Sequence, residues 1–147
     1  MSGVKIAGVF VALSVGVSGC TTDTASTPDE EIEAASSDID IAAMPTCNSV
    51  ASFHAAWVPY YNGTQSTVDC TMVRGYNSSA VRQLQRSLNL CYHEQVAENG
   101  SFDEATQTAL RRAQRQAGTT PNGQYGRETR KVMLHEATTS GRCIHVP

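Results

Sequence analysis

Residues 99–106 read NGSFDEAT, and residues 122–129 read NGQYGRET. The two octets share Asn-Gly, an aromatic residue at the fourth place and Thr at the eighth. Asn-Gly turns readily, because both residues tolerate positive φ. It is also a strong hairpin signal. The residues after each copy are Glu, Arg, Ala and Gln, which favour helix and do not alternate, so each octet reads as a turn, an anchoring aromatic and a helix start. Asp103 is placed to cap the helix that follows the first copy, and Gly126 stands at the same place in the second. Thr106 and Thr129 lie three residues later, where a hydroxyl can fold back toward the cap's amide. With only two copies, this is an internal duplication within one small domain and not a solenoid.

Working outward, SSAVRQLQRSLNL places Val81, Leu84 and Leu88 at helical spacing with Arg and Gln between them, predicting a helix from about Ser79 to Leu90. Asn77, Ser78 or Ser79 can cap it. A second helix is expected over Glu104 to Gln116, with Ala109, Leu110, Ala113 and Ala117 inward and Gly118 at its end. A third is expected from Arg127 to about Glu136, with Val132 and Met133 inward. The fold class that follows is all-α, a small three-helix bundle.

The chain begins MSGVKIAGVFVALSVGVSGC: one positive charge at Lys5, an apolar run from Ile6 to Val17, then Ser18, Gly19 and Cys20. Twelve helical residues rise about 18 Å against a hydrocarbon core of about 30 Å, so the run reads as an export signal and not as a span. The Val-Ser-Gly-Cys end resembles the lipobox of bacterial lipoproteins. That resemblance implies removal of residues 1–19 and a diacylglyceryl group on Cys20, which would anchor the protein to the outside of the cell membrane. Residues 21–45 carry seven acidic side chains, no basic one and no aromatic, a composition expected of a disordered tether.

Residues 46–147 are expected to form one domain. Without Lys5, ten of the chain's eleven Lys and Arg fall here, against seven of its fourteen Asp and Glu, a formal +3 within a chain of −3. Arg82, Arg86, Arg111, Arg112 and Arg115 fall on the first two predicted helices. So modest an excess on an exported protein argues against nucleic acid and suits an anionic wall polymer. Beyond Cys20 there are four cysteines, an even number in an oxidising compartment, which reads as two disulfides with three possible connectivities. The favoured pairs are Cys70 with Cys91, flanking the first helix, and Cys47 with Cys143, near the domain ends.

In residues 46–76, Val50, Phe53 and Trp57 share a helical face and Pro59 stops the run. This predicts a short helix and loop stapled onto the bundle. Trp57, Tyr60 and Tyr61 form an aromatic group that could stack on sugar faces or extend the core.

The ordered set Val81, Leu84-Gln85, Leu88, Cys91-Tyr92, Asn99-Gly100, Phe102, Thr106, Ala109-Leu110, Ala113-Gln114, Gly118, Asn122-Gly123, Tyr125-Gly126 and Thr129 resembles the three-helix peptidoglycan-binding domain found on many wall hydrolases. The likeness covers about residues 74–134. The family usually has Asp-Gly at both Asn-Gly turns, an aromatic where Ala113 stands, and often Gly-Pro at Asp103-Glu104 and Gly126-Arg127. The resemblance implies a peptidoglycan groove beside the repeated turns, with Gln85, Tyr92, Asn99, Arg111 and Tyr125 as candidate contacts; for Tyr125 the core is the alternative.

Catalysis is not expected. His54, His93, His135 and His145 are scattered, no metal-ligand spacing or nucleophile motif occurs, and no cofactor is called for. The expected function is a non-catalytic, membrane-anchored envelope protein that binds peptidoglycan. The alternative is an interaction module that docks on or inhibits an exported protein partner.

Overall fold

The computed structural model describes residues 44–139 and 141–147. The export signal, Cys20 and nearly all of the acidic tether lie outside the described residues. The order of elements is β1 (Ser49–Phe53), β2 (Ala56–Tyr60), α1 (Ser79–Tyr92), α2 (Glu104–Gln116), α3 (Arg127–Val132), β3 (Leu134–Glu136) and β4 (Cys143–His145). The three helices stand where the periodicity puts them. Among the described residues no helix is long and apolar enough to cross a membrane.

The all-α expectation is overturned by two antiparallel two-stranded sheets, β1 with β2 and β3 with β4. The predicted helix through Val50, Phe53 and Trp57 is instead a hairpin that pairs Ser49 with Tyr60 through to Phe53 with Ala56. Burial alternates over the first three residues of β2, with Ala56 and Val58 fully buried and Trp57 39 % exposed, the period of two of a strand, before Pro59 is buried as well. A two-residue tip makes Phe53 and Ala56 a hydrogen-bonded pair. Counting in twos, Pro59 opposite Val50 falls on a non-hydrogen-bonded pair, where its missing N–H costs nothing. The tip residues are His54 and Ala55, both at positive φ (48° and 62°) although neither is Gly or Asn. They are held from outside, because the Ala55 carbonyl accepts from the Thr138 N–H (2.8 Å) and hydroxyl (3.2 Å).

The third helix is also shorter than expected. It stops at Val132, Met133 turns extended, and Leu134–Glu136 pair with Cys143–His145. The side of α1 captures the departing chain: the Leu134 N–H donates to the Tyr92 hydroxyl (2.7 Å) and the Glu136 N–H to the Ser87 hydroxyl (3.3 Å). Helix α1 runs through Tyr92 and ends at His93, whose left-handed backbone returns its N–H to the Leu88 carbonyl.

The disulfide pairing differs from expectation. Cys47 bonds Cys70 and Cys91 bonds Cys143. Cys91 sits on the last turn of α1, and β3 brings β4 back beside it, so Cys143 is delivered by strand pairing and not by nearness to a chain end. Cys47 and Cys70 are brought together by the paired backbones of Thr46 and Thr71.

The main core gathers Met72, Val81, Leu84, Leu88, Phe102, Leu110, Tyr125 and Met133 around the three helices. A smaller cluster of Ala56, Val58 and Val146 lies under the hairpin. Between hairpin and α1, the segment Met72–Tyr76 holds both aromatic anchors by their backbones. The Phe102 N–H donates to the Tyr76 carbonyl (2.8 Å) and the Phe102 carbonyl accepts from the Gly75 N–H (2.9 Å), while Tyr125 exchanges two 2.9 Å bonds with Met72.

Candidate functional site

Each Asn-Gly turn is built around one buried glutamine. At the first, the Gln85 carboxamide oxygen accepts from the Gly100 N–H (2.9 Å). Its nitrogen donates to Asn99 Oδ1 (3.2 Å), the Ser101 carbonyl (2.9 Å) and Thr106 Oγ1 (3.0 Å). At the second, Gln114 accepts from the Gly123 N–H (2.8 Å) and donates to Asn122 Oδ1 (2.9 Å), the Gln124 carbonyl (2.9 Å) and Thr129 Oγ1 (3.0 Å). In each turn the Asn Oδ1 also takes the N–H two residues on, from Ser101 and Gln124, both at 2.9 Å. A buried carboxamide is worth its desolvation only when both its ends are used, and here both are.

The threonines therefore act differently from a capping box. Thr106 donates its N–H to the Asp103 carboxylate (2.8 Å), which holds the Asp103 carboxyl below the usual range, but its hydroxyl bonds Gln85 and the Ser101 carbonyl instead of the cap's amide. Thr129 repeats the hydroxyl pattern with Gln114 and Gln124. Gly126 supplies no side-chain cap.

The five candidate contacts divide. Gln85, Tyr92 and Tyr125 are buried. Gln85 is the turn's clip, the Tyr92 hydroxyl is taken by the Leu134 N–H, and burial pushes both phenols above their ordinary pKa. The Tyr125 hydroxyl is sealed in the core without a partner among the described residues. Asn99 and Arg111 are exposed. Asn99 is joined to Gln85 at the first turn, whereas Arg111 belongs to the second, where its side chain lies over Gly123: a Cβ built there would meet Arg111 Nε at 2.9 Å.

The first turn has the corresponding arginine. A Cβ built on Gly100 would lie 3.8 Å from the Arg82 Cβ, so Arg82 rises beside that turn from α1 as Arg111 does beside the other from α2. The full repeat is Arg-x-x-Gln on a helix followed by Asn-Gly-x-aromatic-x-x-x-Thr. Sequence reasoning put Asn122 in the repeated octet but did not extend the repeat to Arg82-x-x-Gln85 and Arg111-x-x-Gln114, nor name Arg82 or Asn122 as candidate contacts; the signal was the recurrence of Arg-x-x-Gln.

The outward surface is rich in donors. Both Asn side chains spend their oxygen inside the turn and leave the amide nitrogen outside. Arg82 and Arg111 make no ion pair or side-chain hydrogen bond among the described residues, whereas Arg86 is bidentate to Glu136 and Arg112 to Glu94. Each turn thus carries an exposed asparagine, with an exposed arginine of the preceding helix rooted beside its glycine, and both can donate to oxygen acceptors.

A helical unit with two clipped turns and donor-rich rims is what the chain offers, and comparison with known families agrees. Residues 77–133, less than half of the chain, match the family model described as a putative peptidoglycan binding domain. The match takes in all three helices and both turns and leaves out the β1–β2 hairpin and the β3–β4 pair. No curated protein matches the chain, and no solved structure does.

Proposed function

We propose that the protein binds peptidoglycan through the twin rims of its repeated turns, with Arg82 and Asn99 on one and Arg111 and Asn122 on the other. The observation that carries this reading is the second use of the same Arg, Gln, Asn-Gly unit with its donors outward. Peptidoglycan is rich in the matching groups: acetamido and peptide carbonyls, glycan hydroxyls and carboxylates. The family of residues 77–133 supports the same ligand. In this reading the protein holds the wall and does not cut it, and the lipid on Cys20 and the acidic tether, which rest on residues 1–45 alone, keep it at the membrane face.

The test is co-sedimentation of the oxidised full chain with purified, protein-free sacculi at two salt concentrations, beside the double variant Arg82→Gln, Arg111→Gln. Both side chains are exposed, so the variant should fold normally. Salt-resistant binding that weakens about tenfold, the equivalent of one charge-assisted hydrogen bond, is the expected result. No retention at either salt would discard the wall reading in favour of a protein partner. Release of soluble fragments from the sacculi would show that the protein cuts.

A further inference from the structure

A cleft of about 620 Å³ lies between the loop after β2 and the first residue of α3. Its wall includes Tyr61, Thr64, Gln65, Ser66, Asp69 and Arg127. Most of it comes from residues outside 77–133, so the family likeness does not account for it.

The loop is pre-shaped. Tyr61 and Thr67 exchange two backbone bonds (2.8 and 3.1 Å) that close it, and the Ser66 hydroxyl donates to the Gly63 carbonyl (3.2 Å). The Tyr61 ring packs over Gly63: a Cβ there would sit 2.2 Å from the Tyr61 Cζ and hydroxyl oxygen, so the phenol occupies this position because residue 63 has no side chain.

The charge is arranged from the other side. Asp69 receives the buried Arg130 guanidinium on Oδ1 (2.9 Å), and Arg127 Nε stands 3.0 Å from Oδ2, too far off-axis for a hydrogen bond. Two guanidiniums thus flank one carboxylate whose oxygens both face inward to them. Arg127 is partly exposed at the cleft, and its terminal N–H groups have no acceptor among the described residues. A cleft beside His93 contrasts with this, because its Arg112 is already bidentate to Glu94.

We infer that this cleft is a second binding site, separate from the turn rims, that takes the carboxylate of a small polar ligand on Arg127, with the Tyr61 hydroxyl and the Gln65 amide as further donors. A planar guanidinium with its outer N–H groups unused is suited to a carboxylate, and the rest of the wall, hydroxyls beside Met44 and Pro45, suits a remainder with both polar and apolar groups. The proposal shares with the wall reading only the source of the carboxylate, which a sugar acid or a peptide end could supply.

The experiment is a heteronuclear NMR titration of the oxidised full chain with N-acetylmuramic acid, with N-acetyl-alanyl-alanine, and with the uncharged amide of each. Expected are shifts at residues 61–69 and 127 with one or both acids and not with the amides. The preferred acid identifies the source. Arg127→Gln should weaken binding about tenfold, whereas Arg142→Gln, which removes the same charge from an exposed site elsewhere, should not. Arg82→Gln, Arg111→Gln should leave these shifts intact even where it abolishes sacculus binding, so the two proposals fail separately. Should Arg127→Gln lose its folded spectrum, Tyr61→Phe replaces it, with a smaller loss expected. Absence of shifts with both acids, equal shifts with the amides, or an unchanged affinity in the readable variant would overturn the site.

Discussion

Gln114 does for the second turn what Gln85 does for the first: each takes the glycine N–H on its oxygen and gives its nitrogen to an asparagine, a backbone carbonyl and a threonine hydroxyl. The two are equivalent parts of a duplicated unit, and the stability of both turns depends on them.

Replacing Gln85 or Gln114 by Leu should therefore cost about 2–4 kcal/mol, because a buried glycine N–H and several oxygens lose their partner at once. Denaturant unfolding of the oxidised protein measures this. Gln85→Glu should be destabilised at neutral pH, since a carboxylate would face Asn99 Oδ1 and the Ser101 carbonyl. It should recover relative to the parent as pH falls and the carboxyl takes up a proton it can donate. A loss below about 0.5 kcal/mol for either Leu variant would mean that the turns hold without the clip.

Gly100 (φ +78°) and Gly118 (φ +74°) share a left-handed backbone but not their surroundings. A Cβ on Gly100 would meet the Ser78 carbonyl oxygen at 2.9 Å, while nothing lies within 4 Å of one on Gly118. Gly118→Ala should cost about 1 kcal/mol, the left-handed penalty alone, and Gly100→Ala distinctly more. Equal thermal shifts for the two would contradict the close approach.

His135 should make stability depend on pH. Its Nε2 contacts the Arg130 carbonyl (2.9 Å), which can only accept, so Nε2 carries the hydrogen and Nδ1 is left bare and unpartnered in the core. Burial lowers its pKa from 6.5 to about 4. As pH falls through 6.5 the unfolded chain takes up the proton first, so stability present above that pH is lost toward pH 4. The steepest slope should be about 1.4 kcal/mol per pH unit. Glu136, whose carboxyl is held low chiefly by its Arg86 hydrogen bond, and Asp103 act below their ordinary values of 4.5 and 3.8, a lower window. Unfolding curves at pH 6.5, 5.5 and 4.8 should show the slope in the parent and not in His135→Gln.

The disulfides should open in order. Cys47 and Cys70 are fully buried, while Cys91 and Cys143 are partly exposed. Mild reduction followed by alkylation and peptide mapping should label Cys91 and Cys143 first. Removing that pair by Ser substitution should cost about 3–4 kcal/mol, since it releases the longer of the two loops. Earlier labelling of Cys47 or Cys70 would reverse the assignment of the weaker staple.

How much of this was legible differs from place to place. Val81, Leu84 and Leu88, and the turn glycines, announced helices and turns because their period and φ preferences are local properties. The hairpin was hidden: its tip, His54-Ala55, lacks the Gly or Asn that marks such turns, and Val50, Phe53 and Trp57 fit a helical face as well as a strand. The cysteine pairing depended on β3 and β4, which no run of three residues could reveal. The structural role of Gln85 was hidden for a different cause. A polar residue on a helix between leucines suggests a ligand contact, yet its partners are the backbone of Gly100 and Ser101 and the side chains of Asn99 and Thr106, fourteen and more residues away, and only the recurrence of Arg-x-x-Gln hinted at them.

The pairing of Met72 with Tyr125 bears on how such a unit can be moved between proteins. Met72 and Asp69 both precede the family-matched stretch 77–133, yet one supplies the backbone partners of a buried anchor and the other the counter-charge of the buried Arg130. An excised 77–133 fragment would expose an anchor's peptide edge and leave Arg130 without the Asp69 carboxylate, the Phe53 ring and the Pro147 carbonyl that surround its guanidinium. The family-matched stretch thus lacks some partners of its own buried groups, and a graft of it should carry the arm that holds Asp69 and Met72.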